Sequence, residues 1–386
     1  MNTKEIIEKT NKYVMNTYGR QELALTKAHG CNAWDAEGNQ YIDCVAGIAV
    51  NNIGHTNKKV VEAITKQSKE LIHCSNIYYI QPQAELAQKL VEISSHDKVF
   101  FSNSGAESNE GAIKLARKYT GKKNIISMKN SFHGRTLTTL AATGQTKYQK
   151  GFFVPEDFTY VKYNDSQKAN DAITDDTAAI LVEPIQGESG VQVPDKNYLK
   201  ELRKICNDNE ILLIFDEVQT GFGRTGKMFA EELFNASPDI TTCAKAIAGG
   251  LPMGAILAKD EISSAFNPGD HASTFGGSPL VSSVALATIN VIEDENLVEK
   301  SATNGAYLKE KLEELMNTHE DIVDVRGYGL MIGVEIDHPC GDLVSKAQNE
   351  GLILNCAAGN VLRLVPPLII TKEEINKVVS IIDKIL

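Results

Sequence analysis

The chain has 386 residues and a formal net charge of -11, from 39 basic and 50 acidic side chains. This length exceeds what one compact core usually holds, so we expect a large domain and a smaller one. The acidic balance, with no long basic run, argues against nucleic acid or an anionic membrane as the main partner.

The N-terminus and the cysteines indicate the cellular compartment. The first 20 residues are polar and charged, without the apolar core and cleavage site of an export signal. The longest apolar runs, such as 211–215, have only the length of strands. Seven scattered cysteines form no C-x-x-C pair and show no zinc-ligand spacing. We therefore expect a cytoplasmic protein with free thiols and no metal.

The chain opens with strand patterns. TKAHGCNAW at 26–34 and QYIDCV at 40–45 flank the turn signal DAEGN. These strands predict that residues 1–48 join a small domain formed mainly by the other end of the chain.

Residues 49–278 alternate short apolar runs with helical patterns. KVFFSN at 98–103 precedes a helical pattern at 105–119, and AAILVEPI at 178–185 precedes another at 196–209. A third apolar run, ILLIFDE, follows at 211–217. Such alternation predicts βαβ units, and hence a large α/β domain around a mostly parallel, buried central sheet.

Residues 279–386 have a different pattern. One long helical stretch at 281–316 precedes short strands at 330–336 and 361–367 and a closing helix at 372–386. This order predicts a smaller α+β domain, which the N-terminal strands would complete.

Two nucleotide-binding patterns in this sequence are incomplete. GFGRTG at 221–226 fits G-x-G-x-x-G, and GFGRTGKM nearly fits the P-loop pattern. Met228 stands where a P-loop needs a hydroxyl for magnesium, and the glycines follow DEVQT instead of opening a helix directly after a strand. We interpret the segment as a glycine-rich loop beside the active-site crevice, and not as part of an ATPase.

The candidate site lies where the apolar runs end, because open α/β sheets bind ligands at the carboxyl ends of their strands. After KVFFSN, Ser104, Gly105 and Ala106 begin a helix whose free N–H groups and positive dipole end suit a phosphate. A capping box between Ser104 and Glu107 is the alternative, and the two interpretations are compatible.

Asp216 and Lys245 are the candidates for chemistry. Asp216 and Val218 share one side of their strand, and a buried aspartate facing a pyridine nitrogen keeps that nitrogen protonated. The alternative is a strand-end aspartate that caps a turn. Lys245 lies among small side chains, where desolvation lowers a lysine's pKa and favours imine formation. The alternative is a solvated surface lysine.

Six segments in this order resemble the class III pyridoxal-phosphate aminotransferases: SNSGAESNEGAIKLAR, SFHGRT, EPIQGE, FDEVQTGFGRTG, AKAIAGGLPMGA and STFGGSPL. The resemblance runs from Tyr18 to Pro367, and NTYGR, AGIAVNNIGHTN and HCSNIYY are most similar to the acetylornithine branch of the class. It implies the fold type I, aspartate-aminotransferase-like architecture. Ser108 and Ser278 depart from the alanine and asparagine more usual in relatives.

The resemblance also implies roles for individual residues. Lys245 would be the Schiff-base lysine and proton shuttle, and Asp216 would pair with the pyridine nitrogen of pyridoxal 5'-phosphate. The other implied cofactor contacts are Gly105 and Ala106, next to Ser104, for the phosphate, Phe132 and Val218 for the two ring faces, Gln219 for the ring hydroxyl, and Thr274 for the phosphate of the neighbouring subunit. The last contact implies a homodimer with shared sites.

For the substrate, the resemblance implies that Arg135 fixes a carboxylate and that Ser273 makes a further contact. Glu188 would pair with Arg363, masking it for one substrate and releasing it for glutamate or 2-oxoglutarate; the alternative for Arg363 is a structural strand residue. We interpret His133 as a packing residue and not as a base.

The resemblance implies a ping-pong transamination of N2-acetyl-L-ornithine with 2-oxoglutarate, which yields N-acetyl-L-glutamate 5-semialdehyde and glutamate in arginine biosynthesis. At the position of Ile48, relatives that act on free ornithine tend to have a tyrosine that recognises the free α-amino group. Isoleucine can neither donate nor accept a hydrogen bond, which favours an acylated amine. The alternative donors are succinylornithine, free ornithine, 4-aminobutyrate and succinyldiaminopimelate. An aminomutase or a non-catalytic protein on the same fold is a further alternative; the intact Lys245, Asp216 and Arg135 disfavour the non-catalytic one.

Overall fold

A computed structural model describes all residues, 1–386. None of its helices combines the length and apolar character that a bilayer span requires. One 3-10 helix covers Lys245–Ala248. The α-helices are α1 (Thr3–Tyr13), α2 (Ala46–Ala49), α3 (Lys58–Ser68), α4 (Gln81–Glu92), α5 (Gly105–Thr120), α6 (Leu137–Ala142), α7 (Thr146–Gln149), α8 (Ser166–Asp171), α9 (Tyr198–Asp208), α10 (Ala230–Phe234), α11 (Asp260–Ser263), α12 (Pro279–Asp294), α13 (Leu297–Leu315), α14 (Gly341–Asn349) and α15 (Lys372–Ile385).

The strands form three sheets. They are β1 (Leu25–His29), β2 (Asn32–Asp35), β3 (Gln40–Asp43), β4 (Lys98–Ser102), β5 (Asn124–Met128), β6 (Phe158–Val161), β7 (Thr177–Val182), β8 (Leu212–Asp216), β9 (Ile240–Cys243), β10 (Gly254–Ala258), β11 (Ile322–Tyr328), β12 (Met331–Ile336), β13 (Leu352–Ile353), β14 (Asn355–Ala357) and β15 (Val361–Leu364).

The central sheet has seven strands in the order β4-β10-β9-β8-β7-β5-β6. Every pair from β9 to β6 is parallel, and only β10 runs antiparallel to its two neighbours. Every residue of β7 and β8 is buried, as expected for strands covered on both faces. The predicted α/β fold with a mostly parallel central sheet is confirmed.

Helix α5 follows β4 and carries its first turn to the edge of the sheet where the parallel strands end. Ala112, Ile113 and Ala116 are buried on one face of the helix, which contacts β9 and β10. The helix ends at Gly121, whose positive φ of 70° supplies the left-handed cap that favours glycine. Packing of this face therefore fixes where the N-terminus of α5 points.

The two chain ends meet in a second sheet, of order β1-β2-β3-β13, in which β13 pairs in parallel with β3. A third sheet has the order β11-β12-β15-β14. This pairing supports a small domain built from both chain ends, while its boundaries at 48 and 278 stay a prediction.

The helical stretch expected at 281–316 is two helices. Asn296 separates α12 from α13 with a positive φ of 53°, which a continuous helix does not allow. Helix α12 contacts α3, α4 and the 3-10 turn of Lys245, whereas α13 contacts β11 and α15. The change of partner explains the break.

The expectation of seven free thiols is wrong for two of them. Cys340, the N-cap of α14, and Cys356, in β14, form a disulfide with their Cα atoms 5.8 Å apart. The other five cysteines are free. The two partners are 16 residues apart in sequence and form no motif, so only the folded structure reveals the pair.

Candidate active site

A cavity of about 460 Å³ lies where β7, β8, the start of α5 and the Lys245 turn converge. This place is the carboxyl edge of the parallel strands, as the sequence predicted. The predicted site residues that line the cavity are Ser104, Gly105, Ala106, Phe132, Arg135, Glu188, Asp216, Val218, Gln219 and Lys245.

Lys245 opens the 3-10 helix that follows β9. Its φ of 47° is unusual for a residue with a side chain, and such strained positions cluster at functional sites. Burial lowers the pKa of Lys245 and the charge of Arg363 lowers it further, against the opposing charges of Glu188 and Asp216. A lysine with a lowered pKa is a better nucleophile at neutral pH.

Asp216 ends β8 and is buried, with 4% of its surface exposed. Its Oδ2 accepts hydrogen bonds from Asn109 Nδ2 at 2.8 Å and from His133 Nδ1 at 2.7 Å. Its Oδ1 accepts one from the Val218 N–H at 3.0 Å. Three donors therefore fix the carboxylate at the cavity wall.

The interpretation of His133 as a packing residue is incomplete. His133 is buried like a packing residue, but its imidazole bonds to Asp216, 83 positions later in the chain. Its Nε2 is also buried and has no partner within the chain. The sequence motif shows His133 only beside Phe132, because the contact with Asp216 forms when the loop folds over the end of β8.

The first turn of α5 agrees with the phosphate interpretation, whereas the predicted capping box between Ser104 and Glu107 is wrong. The Ser104 Oγ accepts from the Glu107 N–H at 3.2 Å, which caps the helix. The Glu107 carboxylate accepts from the Asn103 N–H at 2.7 Å, whereas a capping box requires the N–H of Ser104. The N–H groups of Gly105 and Ala106 have no partner within the chain. Two free donors at a positive helix end can bind a phosphate.

Gly105 leaves space that another residue would fill. A Cβ atom at this position would lie 2.8 Å from Cγ1 of Val218, too close for two carbon atoms. The absence of a side chain therefore keeps the cradle between α5 and Val218 open.

Glu183 lines the same cavity and was missed in the sequence. Its carboxylate accepts from the Phe132 N–H at 2.9 Å, and burial raises its pKa to about 7. It directly follows β7, so the rule that singled out Asp216 after β8 would also have found Glu183.

Glu188 and Arg363 form the expected ion pair. Arg363 Nη1 lies 2.7 Å from Glu188 Oε1 and 3.3 Å from Gln219 Oε1, and its Nη2 donates to Asn355 Oδ1 at 2.8 Å. Burial raises the pKa of Glu188, but the charge and hydrogen bond of Arg363 lower it by more. Arg363 is 1% exposed, so its cationic head depends on these partners.

Ser273 and Thr274 lie beside the cavity, in a groove that also contains Asn103. Ser273 Oγ accepts from Asn103 Nδ2 at 3.0 Å, which links it to a cavity-lining residue. Thr274 is exposed and lies outside the cavity of its own chain.

Ile48 lines a separate cavity of about 620 Å³ together with Tyr18 and Asn355. Asn355 also accepts a hydrogen bond from Arg363, whose other partner, Glu188, lines the first cavity, so this arginine links a residue of each cavity. The glycine-rich loop at 221–226 lines neither cavity. Its Arg224 is buried and donates to the Leu330 and Pro366 carbonyls, which is a structural role.

Family comparison identifies the chain. Residues 13–386 match the family model of the class-III aminotransferases. The acetylornithine aminotransferase of Methanothermobacter thermautotrophicus is 53% identical over an alignment of 387 positions, which covers 100% of this chain and 99% of that protein. The acetylornithine aminotransferase of Methanocaldococcus jannaschii is 51% identical, over 100% of this chain and 98% of that protein.

Solved structures agree with this assignment. The ornithine aminotransferase of Toxoplasma gondii superimposes with a TM-score of 0.97 at 31% identity, covering 100% of this chain and 95% of its own. The acetylornithine aminotransferase of Elizabethkingia anophelis gives 0.90 at 34% identity, covering 100% and 99%. The chain belongs to the class III aminotransferases.

Proposed function

We propose that the chain transfers the terminal amino group of N2-acetyl-L-ornithine to 2-oxoglutarate, with pyridoxal 5'-phosphate as cofactor, in arginine biosynthesis. The products are N-acetyl-L-glutamate 5-semialdehyde and L-glutamate. The observation that carries the chemistry is the convergence of Lys245, the fixed Asp216 carboxylate and the free N–H groups of α5 on one cavity. The acetylated donor rests on the names of the relatives and on Ile48.

The residues of the cavity suit this cofactor. The N–H groups of Gly105 and Ala106 would hold its phosphate, and Asp216 would face its pyridine nitrogen. Phe132 and Val218 would cover its ring faces. When bound, the cofactor supplies an electron sink that stabilises negative charge on the carbon bearing the amine.

Lys245 would do the proton chemistry. Its Nζ would hold the cofactor between turnovers and, when free, would take a proton from the substrate carbon that bears the amine. Its lowered pKa keeps a larger share of Nζ unprotonated, as a base requires.

Two arginines would bind the two substrates in turn. Arg135 lines the cavity and would fix the carboxylate of N-acetylornithine through its guanidinium fork. Arg363 is masked by Glu188 and would be released for the second carboxylate of glutamate or 2-oxoglutarate. Ser273 and Gln219 would make further contacts with substrate and cofactor.

We also propose a cytoplasmic homodimer. The exposed Thr274, next to the exposed Phe275, lies outside the cavity of its own chain, as a residue that serves the neighbouring subunit would. Sedimentation of the purified protein would measure the oligomeric state, and a monomer with full activity would contradict shared sites.

A steady-state assay tests the donor. The purified enzyme is supplied with 2-oxoglutarate and, in turn, N-acetylornithine, succinylornithine, ornithine, 4-aminobutyrate or succinyldiaminopimelate, and glutamate formation is measured. We expect the highest kcat/KM with N-acetylornithine. A higher value with any other amine would replace the proposed donor and leave the cofactor chemistry in place.

A further inference from the structure

Arg135 is held by aromatic rings instead of acceptors. Its guanidinium carbon lies 3.9 Å from the ring centroid of Tyr148 and 5.2 Å from that of Phe132. The two rings are nearly perpendicular, at 87°, with their centroids 6.2 Å apart. Arg135 is exposed, and no side chain or carbonyl of the chain accepts a hydrogen bond from it. The rings are therefore its closest support within the chain.

Tyr148 supports Arg135 from outside the cavity. It belongs to α7 and does not line the cavity, whereas Phe132 and Arg135 do. Its hydroxyl has no hydrogen-bond partner within the chain, so the ring face is what it offers to Arg135. The Lys147 ammonium also lies 4.8 Å from this ring and is the one competing cation there.

We infer that Tyr148 is a positioning residue that orients Arg135 for the carboxylate of the amino donor; this rests on the proposed function. A cation above an aromatic ring is attracted by the ring quadrupole. An arginine side chain has several rotatable bonds, and ordering it only when substrate arrives would weaken binding. A ring that already holds the guanidinium removes part of that loss.

The test compares two donors that differ only in the carboxylate. N-acetylputrescine is N-acetylornithine without this group, so its binding needs no guanidinium. Tyr148→Leu should raise the KM for N-acetylornithine roughly three- to thirtyfold with little change in kcat. With N-acetylputrescine the same variant should match the wild type.

Further variants separate orientation of Arg135 from an effect on folding. Tyr148→Phe keeps the ring and should behave as the wild type, and Lys147→Met should leave the KM for N-acetylornithine unchanged. In an Arg135→Gln background, Tyr148→Leu should have almost no further effect on kcat/KM, because the guanidinium it orients is gone.

Equal losses with both donors, equal losses in Tyr148→Phe and Tyr148→Leu, or full additivity with Arg135→Gln would each overturn the inference. A Tyr148→Leu enzyme with an unchanged KM for N-acetylornithine would also overturn it. A wild-type enzyme that does not use N-acetylornithine would instead refute the proposed donor, so the two failures can be told apart.

Discussion

The Nδ1 atom of His133 lies 2.7 Å from the Oδ2 atom of Asp216, and both side chains are buried. Oδ2 also accepts a hydrogen bond from the side-chain amide of Asn109, so two donors orient the carboxylate. Removing one donor from a buried carboxylate leaves a lone pair unsatisfied, which costs more than the hydrogen bond contributes. His133 therefore orients the carboxylate of Asp216, which we propose faces the pyridine nitrogen of the cofactor.

Replacing His133 should weaken cofactor binding. His133→Phe removes a hydrogen bond to a charged group, worth about 1.5–3 kcal/mol, and should raise the Kd for pyridoxal phosphate roughly tenfold to a hundredfold. Equilibrium titration of the apoprotein measures this constant. His96→Phe is the matched control, because His96 is buried but pairs with no carboxylate. Equal affinities of His133→Phe and wild type would contradict the role of His133.

Removing the carboxylate of Glu188 should change the preference between donors. In Glu188→Gln the charge that masks Arg363 is gone, so we expect the KM for glutamate to fall several-fold and kcat/KM for N-acetylornithine to fall. Both constants come from steady-state kinetics with the two donors. Glu201→Gln, which changes an exposed residue that does not line the cavity, serves as control. A Glu188→Gln enzyme that keeps the wild-type preference would show that Arg363 is a structural strand residue.

The buried Glu217 should make stability depend on pH. Burial raises its pKa from 4.5 to about 7, so the folded protein holds a proton that the unfolded chain has lost. The contribution of this proton to the free energy of unfolding is fully present below about pH 4.5. It declines by at most about 3 kcal/mol as the pH rises to about 7. Urea unfolding of the apoprotein at pH 5 and pH 8 measures the change.

In Glu217→Gln the part of the pH-dependent loss of stability that comes from this carboxyl should disappear. The control Glu70→Gln changes an exposed side chain and should show the same loss as wild type. A Glu217→Gln protein with the same loss of stability between the two pH values as wild type would show that Glu217 does not hold the proton.

The disulfide between Cys340 and Cys356 should stabilise the protein. It closes a loop of 16 residues, for which the chain-entropy model gives about 3 kcal/mol. Adding dithiothreitol should lower the Tm of the wild type and leave that of the Cys340→Ser/Cys356→Ser double variant unchanged. Equal responses of the two proteins to the reductant would mean that the bond does not form in solution.

The sequence predicts the central sheet well, because each of its strands is indicated by a short continuous segment of the chain. A strand such as β8 is a continuous apolar run, and the residue that ends it, Asp216, faces the ligand edge by the rule for parallel sheets. The start of α5 is equally local, since Ser104 caps the helix that Gly105 opens.

Contacts between distant segments are what the sequence does not show. No motif links the residues of three such contacts: the hydrogen bond between His133 and Asp216, the disulfide between Cys340 and Cys356, and the contact of Arg135 with the Tyr148 ring. The break at Asn296 was hidden for another reason: the helical pattern continues across it, and only the different packing of α12 and α13 separates the two helices.

The most direct measurement follows the visible absorption of the purified protein as each amine is added, with Lys245→Ala alongside. We expect a cofactor band in the wild type that N-acetylornithine bleaches faster than the other donors and that 2-oxoglutarate restores. Lys245→Ala should lack the lysine-bound form of this band and complete no cycle. A wild-type protein without the band, or a Lys245→Ala protein that turns over like wild type, would contradict the assignment of Lys245.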